Sequence, residues 1–227
     1  MIFLIDADTM IFASAVVSET LDEAMSSFDY RYRALMRDIQ SSYTPDGVYI
    51  FSGSKGNFRK WITPVYKANR KKQALPEHLG DLHDYVKVKY KSIVGVNVET
   101  DDMIASYWHR AQLKIGRDNV IIVAIDKDYK QFPCMMYNYS KREMYDISEQ
   151  EAMYNLYEQM IVGDTADNVN YAKGYGKAYA KKIFVDCSTR WQYTRAVYTL
   201  FKSIYKSKAK EKFVECFHLL TLRTDIK

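Results

Sequence analysis

Short apolar runs alternate with amphipathic segments along this chain. Ile2–Ile5 is apolar throughout and is followed by an acid, Val48–Phe51 follows a turn at Thr44–Gly47, and Val120–Ile125 is the most strand-like run. Short, continuous apolar runs of this kind are typical of strands that are buried on both faces of a sheet. Because helical segments separate them, they predict an α/β fold with a largely parallel sheet.

Apolar residues at helical spacing predict the helices between these strands. A helix is expected over Met10–Val17, and others over residues 28–39, 79–91 and 104–115. Ile93–Val98 alternates in polarity and contains β-branched residues, so it predicts a further strand.

The second half of the chain changes from strand to helix. Residues 135–147 resemble a hairpin, and from Glu149 onward the pattern is helical to the end of the chain, except around residues 163–176. We therefore predict an α/β core over residues 1–160 and a helical region over residues 161–227.

Composition and charge exclude several classes of protein. Hydrophobic residues make up 48% of the chain, which suits a folded domain with a core. The 3 cysteines are odd in number and widely spaced, which argues against a disulfide framework or a zinc site. The apolar start, Met1–Ile5, does not have the form of a signal peptide, and no stretch approaches the roughly 20 apolar residues of a membrane span. We expect a soluble cytoplasmic protein, and its net charge of +5 points only weakly to a polyanionic partner.

Acidic residues occur where predicted strands end or predicted helices begin. Four such groups lie far apart in the sequence, and they are Asp6; Glu99, Asp101 and Asp102; Asp126 and Asp128; and Asp164 and Asp167. The carboxyl ends of parallel strands share one edge of a sheet, and open α/β sheets bind their ligands at that edge. We therefore expect the groups to converge on one site.

Converging carboxylates repel one another unless a cation neutralises them. Mg²⁺ and similar hard cations bind a few carboxylates together with water and substrate phosphates. Two such ions about 4 Å apart assist the hydrolysis of phosphodiesters in many nucleases. An acid at a helix start is usually a cap, and one at a strand end is often a turn residue. The coincidence of all these groups favours a metal-dependent nuclease over those separate explanations.

Two basic segments are suited to the phosphates of a nucleic acid. Phe58–Lys72 interleaves cations with aromatic residues, and within it Lys67 and Arg70, one helical turn apart, are expected to hold the scissile phosphate. The second segment, Lys173–Lys182, contains no acid, and its Gly174–Gly176 turn opens a helix, where backbone N–H groups can meet a phosphate. A solvated charged face is the alternative interpretation of each segment.

Together these motifs resemble the flap endonuclease/5′–3′ exonuclease superfamily, in particular its short phage and bacterial members. The similar residues run from Asp6 to Phe184 in the order that the family has them. They are the first-strand aspartate, a Tyr-Lys-x-x-Arg segment, Glu-x-Asp-Asp, Asp-x-Asp, and the last metal motif with its helix–three-turn–helix, at Asp6, Tyr66–Arg70, Glu99–Asp102, Asp126–Asp128, Gly163–Asn168 and Gly174–Gly176. This shared order over nearly the whole chain makes the resemblance specific.

The resemblance implies a PIN-like nuclease core with a short basic arch near residues 55–90, followed by a helix–three-turn–helix. It implies two Mg²⁺ or Mn²⁺ ions held by all the acids of the groups above, catalysis by those acids with Lys67 and Arg70, and a K⁺ ion in the helix–three-turn–helix. The implied substrate is DNA with a 5′ end, nick or flap, or an RNA–DNA hybrid, cleaved by a monomer in a bacterial or phage-infected cell. The implied DNA-binding residues are Arg59, Tyr66, Lys67, Arg70, Lys71, Gly174, Gly176, Lys177 and Lys181.

One stretch departs from the family pattern. The family carries an aspartate just after the second strand, whereas Phe51–Phe58 contains no acid, so that Ser52, Gly53 or Ser54 takes its place. A catalytically weakened relative that binds branched or nicked DNA is therefore the alternative to an enzyme. A PIN-domain ribonuclease of another branch is a third possibility, which the helix–three-turn–helix pattern disfavours. The persistence of so many mutually repelling acids favours the working nuclease.

Overall fold

A single sheet runs through the computed structural model, which describes residues 1–72 and 74–226 and, of Ser54, Lys71 and Lys72, the backbone alone. Its strands are β1 (Ile2–Asp6), β2 (Gly47–Lys55), β3 (Ile93–Val96), β4 (Val120–Val123), β5 (Met135–Asn138) and β6 (Glu143–Asp146). They lie in the order β3-β2-β1-β4-β5-β6, and every neighbouring pair is parallel except the hairpin of β5 and β6. The predicted α/β fold with a largely parallel sheet is confirmed.

Strand β1 determines where the carboxyl edge of the sheet opens. It pairs with β2 on one side, where Asp6 lies opposite Phe51, and with β4 on the other, where Ile5 lies opposite Val123. The strand order reverses at β1, because β2 and β3 lie on one side of it and β4 and β5 on the other. Such a switch point leaves a crevice at the carboxyl ends of the strands, which is where open α/β sheets bind ligands.

Helices pack on both faces of the sheet because the side chains of β1 alternate in direction. Phe3 and Ile5 lie in one apolar cluster with α1, α2 and α4, whereas Leu4 lies in another with α5. The helices are α1 (Asp8–Val16), α2 (Leu21–Ser42), α3 (Arg59–Ile62), α4 (Leu79–Tyr90), α5 (Thr100–Ile115), α6 (Glu149–Val162), α7 (Lys177–Ile183), α8 (Arg190–Tyr205) and α9 (Ala209–Leu220). None of the helices in the described ranges is long and apolar enough to cross a membrane.

A third apolar cluster holds α6, α7, α8 and α9 together around Tyr193 and Phe201. The predicted interruption between the first two of these helices is confirmed, since α6 ends at Val162 and α7 begins at Lys177. The prediction of helix to the end of the chain is wrong. The chain leaves α9 at Leu220 and returns to α5, because packing on the core outweighs the local helical pattern there.

Arg59 joins this C-terminal stretch to the start of α5. Its guanidinium is 1% exposed and forms a two-pronged ion pair with Asp102, at 2.6 and 2.8 Å. It also donates to the carbonyl oxygens of Leu219 and Thr221, both at 2.9 Å. A buried charge is costly unless it is paired and hydrogen-bonded, and these contacts satisfy both conditions. One side chain thereby connects α3, α5 and the chain beyond α9.

We expect Arg59→Met to lower the free energy of unfolding by about 3–5 kcal/mol, the usual cost of removing one partner of a buried ion pair. The loss arises because Asp102 and the carbonyls of Leu219 and Thr221 stay in place without their donor. Urea denaturation followed by circular dichroism measures it. The exposed neighbour serves as the control, since Lys60→Met should change the stability by less than about 0.5 kcal/mol. Equal stability of the two variants would contradict the structural role of Arg59.

Candidate active site

A cleft of about 550 Å³ opens at the carboxyl edge of the sheet, beside the end of β1. Its acidic wall comes from distant parts of the chain and includes Asp8, Glu99, Asp101, Asp126, Asp128, Asp164 and Asp167. Lys67 and Arg70 line the same cleft. Asp6 adjoins it, because its carboxylate accepts the N–H of Asp8 at 3.1 Å. The structure thus brings residues of all the predicted acidic groups to one edge of the sheet.

Asp6 ends β1 in surroundings that disfavour its charge. Its Oδ2 accepts a hydrogen bond from the hydroxyl of Tyr129 at 2.7 Å. Burial, together with the charges of Asp8 and Asp126, outweighs the hydrogen bonds and raises the pKa of Asp6 to about 7. Burial and the neighbouring acids thus disfavour the ionised form of Asp6.

The start of α5 carries three carboxylates, Glu99, Asp101 and Asp102, whose oxygens lie within 4.8 Å of one another. Burial raises the pKa of Asp101 well above its ordinary value, and the charges of Asp102 and Glu99 add to this effect. Burial also acts to raise the pKa of Glu99, but Lys67 and Arg59 outweigh it, so that this pKa lies below its ordinary value. The positive charge in this region therefore stabilises Glu99 more than Asp101.

Asp102 faces the protein rather than the cleft. It is 0% exposed, and besides Arg59 it accepts the N–H of Glu99 at 3.2 Å and the N–H of Arg223 at 2.9 Å. These bonds use most of the acceptor capacity of a carboxylate, which is about four lone-pair sites. Asp102 therefore fixes the start of α5 in position, and metal ligation by Asp102 stays a prediction.

Strand β4 delivers Asp126 and Asp128 through the turn that follows it. Asp126 accepts the N–H of Asp128 at 2.9 Å and so caps the short 3-10 helix Lys127–Gln131. Asp128 accepts a hydrogen bond from the side-chain amide of Gln159 at 2.9 Å. Burial, with the charges of Asp126 and Asp164, raises the pKa of Asp128 to about 7. Asp128 is thus in the same electrostatic situation as Asp6.

The loop after α6 presents Asp164 from a closed turn. Asp164 and Val169 exchange backbone hydrogen bonds of 2.7 and 2.8 Å. Gly163 has a φ of +79°, and a Cβ there would come within 2.3 Å of the Val169 carbonyl oxygen, so the turn requires glycine. Burial raises the pKa of Asp164, but its ion pair with Lys127 at 2.9 Å outweighs this and brings the pKa below its ordinary value.

Lys67 and Arg70 occupy the basic side of the cleft. Their segment forms a short 3-10 helix, Ala68–Lys72, after α3. Lys67 forms ion pairs with Glu99 and, at 3.5 Å, with Asp167, whereas Arg70 pairs with Asp167 at 2.9 Å and stays 51% exposed. Their position beside the acids agrees with the expectation from sequence, and their contact with a phosphate stays a prediction.

Two residues that were expected to contact DNA are buried. Arg59 is 1% exposed and Tyr66 is 3% exposed, so neither side chain offers a surface to DNA in this structure, and their contact with DNA stays a prediction. The hydroxyl of Tyr66 lies 2.8 Å from the Glu99 carboxylate and 2.6 Å from that of Asp167, and thus links the two acids. Interleaved cations and aromatics look alike whether they are exposed or buried, so the pattern alone could not separate the two cases. The side chain of Lys71 lies outside the described part of the structure.

Positive charge is unevenly distributed over the acids of the site. Salt bridges with lysine or arginine, within 4.0 Å, reach Glu99, Asp102, Asp164 and Asp167. Among the described residues, no such salt bridge reaches Asp6, Asp8, Asp101, Asp126 or Asp128. Of these, Asp8 does not belong to the acidic groups predicted from sequence, although its position two residues after Asp6 was a signal that it lies at the same strand end. The site therefore holds more negative charge than the described side chains neutralise.

The second basic segment forms the turn before α7 and the helix itself. Gly174 has a φ of +90°, which favours glycine, and Gly176 is extended at the start of α7. Lys177 and Lys181 are exposed, and Lys177 lies 3.7 Å from Glu158. These side chains are open to solvent, as DNA binding requires. Their contact with DNA, and a K⁺ ion near them, stay predictions.

The first part of the chain is similar in sequence to known proteins. Residues 1–158 match the family described as "5′-3′ exonuclease, N-terminal resolvase-like domain". A 5′-3′ exonuclease of Buchnera aphidicola subsp. Schizaphis graminum (strain Sg) is 30% identical over 138 residues, which cover 54% of this chain and 46% of the relative. The matching part thus spans less than half the length of that curated relative.

Solved structures share the fold over nearly the whole chain. The T5 D15 protein co-crystallised with metal ions has a TM-score of 0.71 at 18% identity, covering 99% of this chain and 90% of its own. A complex of the bacteriophage T5 D15 flap endonuclease with DNA and metal ions has a TM-score of 0.65 at 14% identity. The match covers 97% of this chain and 99% of the endonuclease chain. The catalytic core of Rad2 in complex with DNA substrate has a TM-score of 0.52 at 10% identity. The match covers 96% of this chain and 71% of the Rad2 chain. These identities support the fold alone, whereas the match over residues 1–158 decides the family: this chain belongs to the 5′-3′ exonucleases, through their N-terminal resolvase-like domain.

Proposed function

We propose that this protein is a divalent-metal-dependent nuclease that hydrolyses phosphodiester bonds at 5′ ends and flaps of DNA. The observation that carries the proposal is the cleft where acids without a salt bridge, among the described residues, lie beside Lys67 and Arg70. Membership of the 5′-3′ exonuclease family supports the class of reaction. The T5 D15 and Rad2 complexes with DNA support DNA as the substrate.

The acids fit a hard divalent cation such as Mg²⁺ or Mn²⁺. All the donors are carboxylate oxygens, which these ions prefer, and the raised pKa values of Asp6, Asp101 and Asp128 indicate a need for positive charge. We assign the ions foremost to Asp6, Asp101, Asp126 and Asp128, with Asp164 beside them. When bound, a pair of such ions supplies Lewis-acid polarisation of the scissile phosphodiester.

The other side chains of the cleft hold the substrate and orient the acids. Arg70 is half exposed, and a guanidinium suits the paired oxygens of a phosphate. Lys67 adds a second positive charge on the same wall, where it stabilises negative charge that develops on the phosphate during hydrolysis. Tyr66 and Arg59 are positioning residues, because both hydrogen-bond to Glu99 from buried sites.

Duplex DNA is proposed to contact the exposed lysines of α7 while its 5′ end enters the cleft. Contacts from Lys177 and Lys181 to backbone phosphates do not depend on base sequence, which suits an enzyme that selects DNA by its structure. An RNA–DNA hybrid offers the same backbone charge and is the second substrate to test. A monomeric state and a cytoplasmic location remain part of this proposal.

We expect Asp126→Asn to reduce the Mg²⁺-dependent release of short products from 5′-labelled duplex DNA by about 100-fold or more. The substitution removes charge from the cleft but keeps the size of the side chain. Flap and RNA–DNA hybrid substrates should be assayed in parallel, first with Mg²⁺ and then with Mn²⁺. Asp118→Asn is the matched control, because this acid is 79% exposed and precedes β4, at the opposite edge of the sheet.

The alternative function makes a different prediction for the same assay. Tight DNA binding by the unaltered protein, with no cleavage in either metal, would overturn the proposed enzyme and support a DNA-binding role. Equal loss of cleavage in the Asp126 and Asp118 variants would show that the assay does not report on the cleft.

We expect Asp101→Asn to raise the Tm of the metal-free protein at neutral pH. Folding raises the pKa of Asp101, so its ionisation opposes folding as the pH rises above the ordinary value, and asparagine removes that cost. Saturating Mg²⁺ should raise the Tm of the unaltered protein by about 5 °C or more. Saturating Mg²⁺ should raise the Tm of the Asp101→Asn variant by less. Thermal unfolding with and without Mg²⁺ measures both effects, and an equal Mg²⁺-induced rise would exclude Asp101 from the metal site.

We expect Lys177→Ala to weaken duplex DNA binding and to lower the slope of log K against log[salt] by about 1, because one phosphate contact is lost. Fluorescence anisotropy at several salt concentrations, with Ca²⁺ in place of Mg²⁺, measures the slope. Lys114→Ala is the control, since this exposed lysine lies in the last turn of α5, away from the carboxyl edge. An unchanged slope in the Lys177 variant would remove α7 from the DNA-binding surface.

A further inference from the structure

The carboxyl end of β2 reaches the cleft without an acid of its own. Ser52 is 1% exposed, and its hydroxyl lies 2.5 Å from that of Ser92, so it is occupied inside the protein. Gly53, which follows, has a φ of +62° and no side chain. Of the two strands that pair with β1, β4 is followed by Asp126 at this edge, whereas β2 contributes no carboxylate there.

His83 fills the space above Gly53. A Cβ built on Gly53 would come within 3.2 Å of the His83 Nδ1, and His83 lines the same cleft as the acids. This Nδ1 is buried and has no hydrogen-bond partner among the described residues. An acidic side chain at position 53 would therefore meet the imidazole that α4 places there.

Asp8 reaches the same place from the first turn of α1. Its Oδ1 accepts the N–H of Gly53 at 2.6 Å, and its Oδ2 accepts the hydroxyl hydrogen of Thr100 at 2.7 Å. These bonds hold the carboxylate between the end of β2 and the start of α5. Thr100 lies between Glu99 and Asp101 in the chain, so its hydrogen bond to Asp8 also holds Asp8 close to these two acids.

We propose that Asp8 supplies the metal-facing carboxylate that β2 lacks. The inference rests on the proposed function, because it concerns the same cleft. Each oxygen of Asp8 accepts one hydrogen bond from the elements described, whereas a carboxylate offers about four acceptor sites in all, so capacity remains toward the cleft that Asp8 lines. Within the described residues no lysine or arginine forms a salt bridge with it.

The alternative role of Asp8 is structural, in which it only links β2 to α5 through its two hydrogen bonds. The two roles differ in what they require. The structural role needs only hydrogen-bond acceptors on Asp8, whereas metal binding needs its negative charge. Asp8→Asn keeps an acceptor and removes the charge. Thr100→Val keeps the charge of Asp8 and removes one of the two hydrogen bonds that hold it.

Isothermal titration of the full chain with Mn²⁺ alone tests the proposal, together with the metal-free Tm of each variant. We expect Asp8→Asn to weaken Mn²⁺ binding by about tenfold or more and Thr100→Val to weaken it by less, even where their Tm values fall equally. Asp118→Asn should bind Mn²⁺ like the unaltered protein.

The outcomes separate this inference from the proposed function. If Asp8→Asn binds Mn²⁺ as the unaltered protein does while Asp126→Asn does not, the role of Asp8 is overturned and the metal site stands. If Thr100→Val weakens binding more than Asp8→Asn does, the hydrogen bond of Asp8 matters and its charge does not, and the inference is likewise overturned. If the unaltered protein and Asp126→Asn bind Mn²⁺ equally, the proposed function itself fails.

Discussion

Carboxylates that repel one another are held close together at the carboxyl edge of the sheet. The strands of a parallel sheet bring their ends together, and the acids at those ends must then be held close against their own charge. The chain does this with hydrogen-bond donors from elsewhere, such as Tyr129 for Asp6 and Gln159 for Asp128. The raised pKa values of both acids indicate that the donors hold the geometry without neutralising the charge.

The helical C-terminal region supports the cleft and also carries the lysines of α7. Arg59 connects Asp102 to the carbonyls of Leu219 and Thr221 at the end of α9, which lie 160 and 162 positions after Arg59 in the chain. The backbone N–H of Arg223 donates to the same Asp102 carboxylate. A carboxylate that is bound from several directions has little freedom to turn. The geometry at the start of α5 therefore depends on the last residues of the chain as much as on the sheet.

Much of the fold and of the acidic cleft could be predicted from sequence, because both follow from local patterns and one topological rule. The apolar runs that end at Asp6 and before Asp126 specify strands, and parallel strands bring such acids to one edge. Burial could not be predicted in the same way. Arg59 and Tyr66 lie in a segment with the composition of an exposed basic surface, and only contacts with distant elements place them inside. The role inferred for Asp8 likewise depends on a contact with β2, which no local pattern specifies.

The basic segment and the loop after α6 are joined along their length. The N–H of Lys67 donates to the carbonyl oxygen of Asp167 at 2.9 Å, and the side chains of Asn69 and Asn168 each donate to a carbonyl of the other segment at 2.8 Å. Lys67 and Arg70 also share the carboxylate of Asp167. An anion that draws Lys67 and Arg70 toward itself leaves Glu99 and Asp167, the two acids that they pair with, more open to another cation. Thermodynamic linkage makes such a coupling reciprocal, so under the proposed function a cation at these two acids and an anion at the two basic side chains would favour each other's binding.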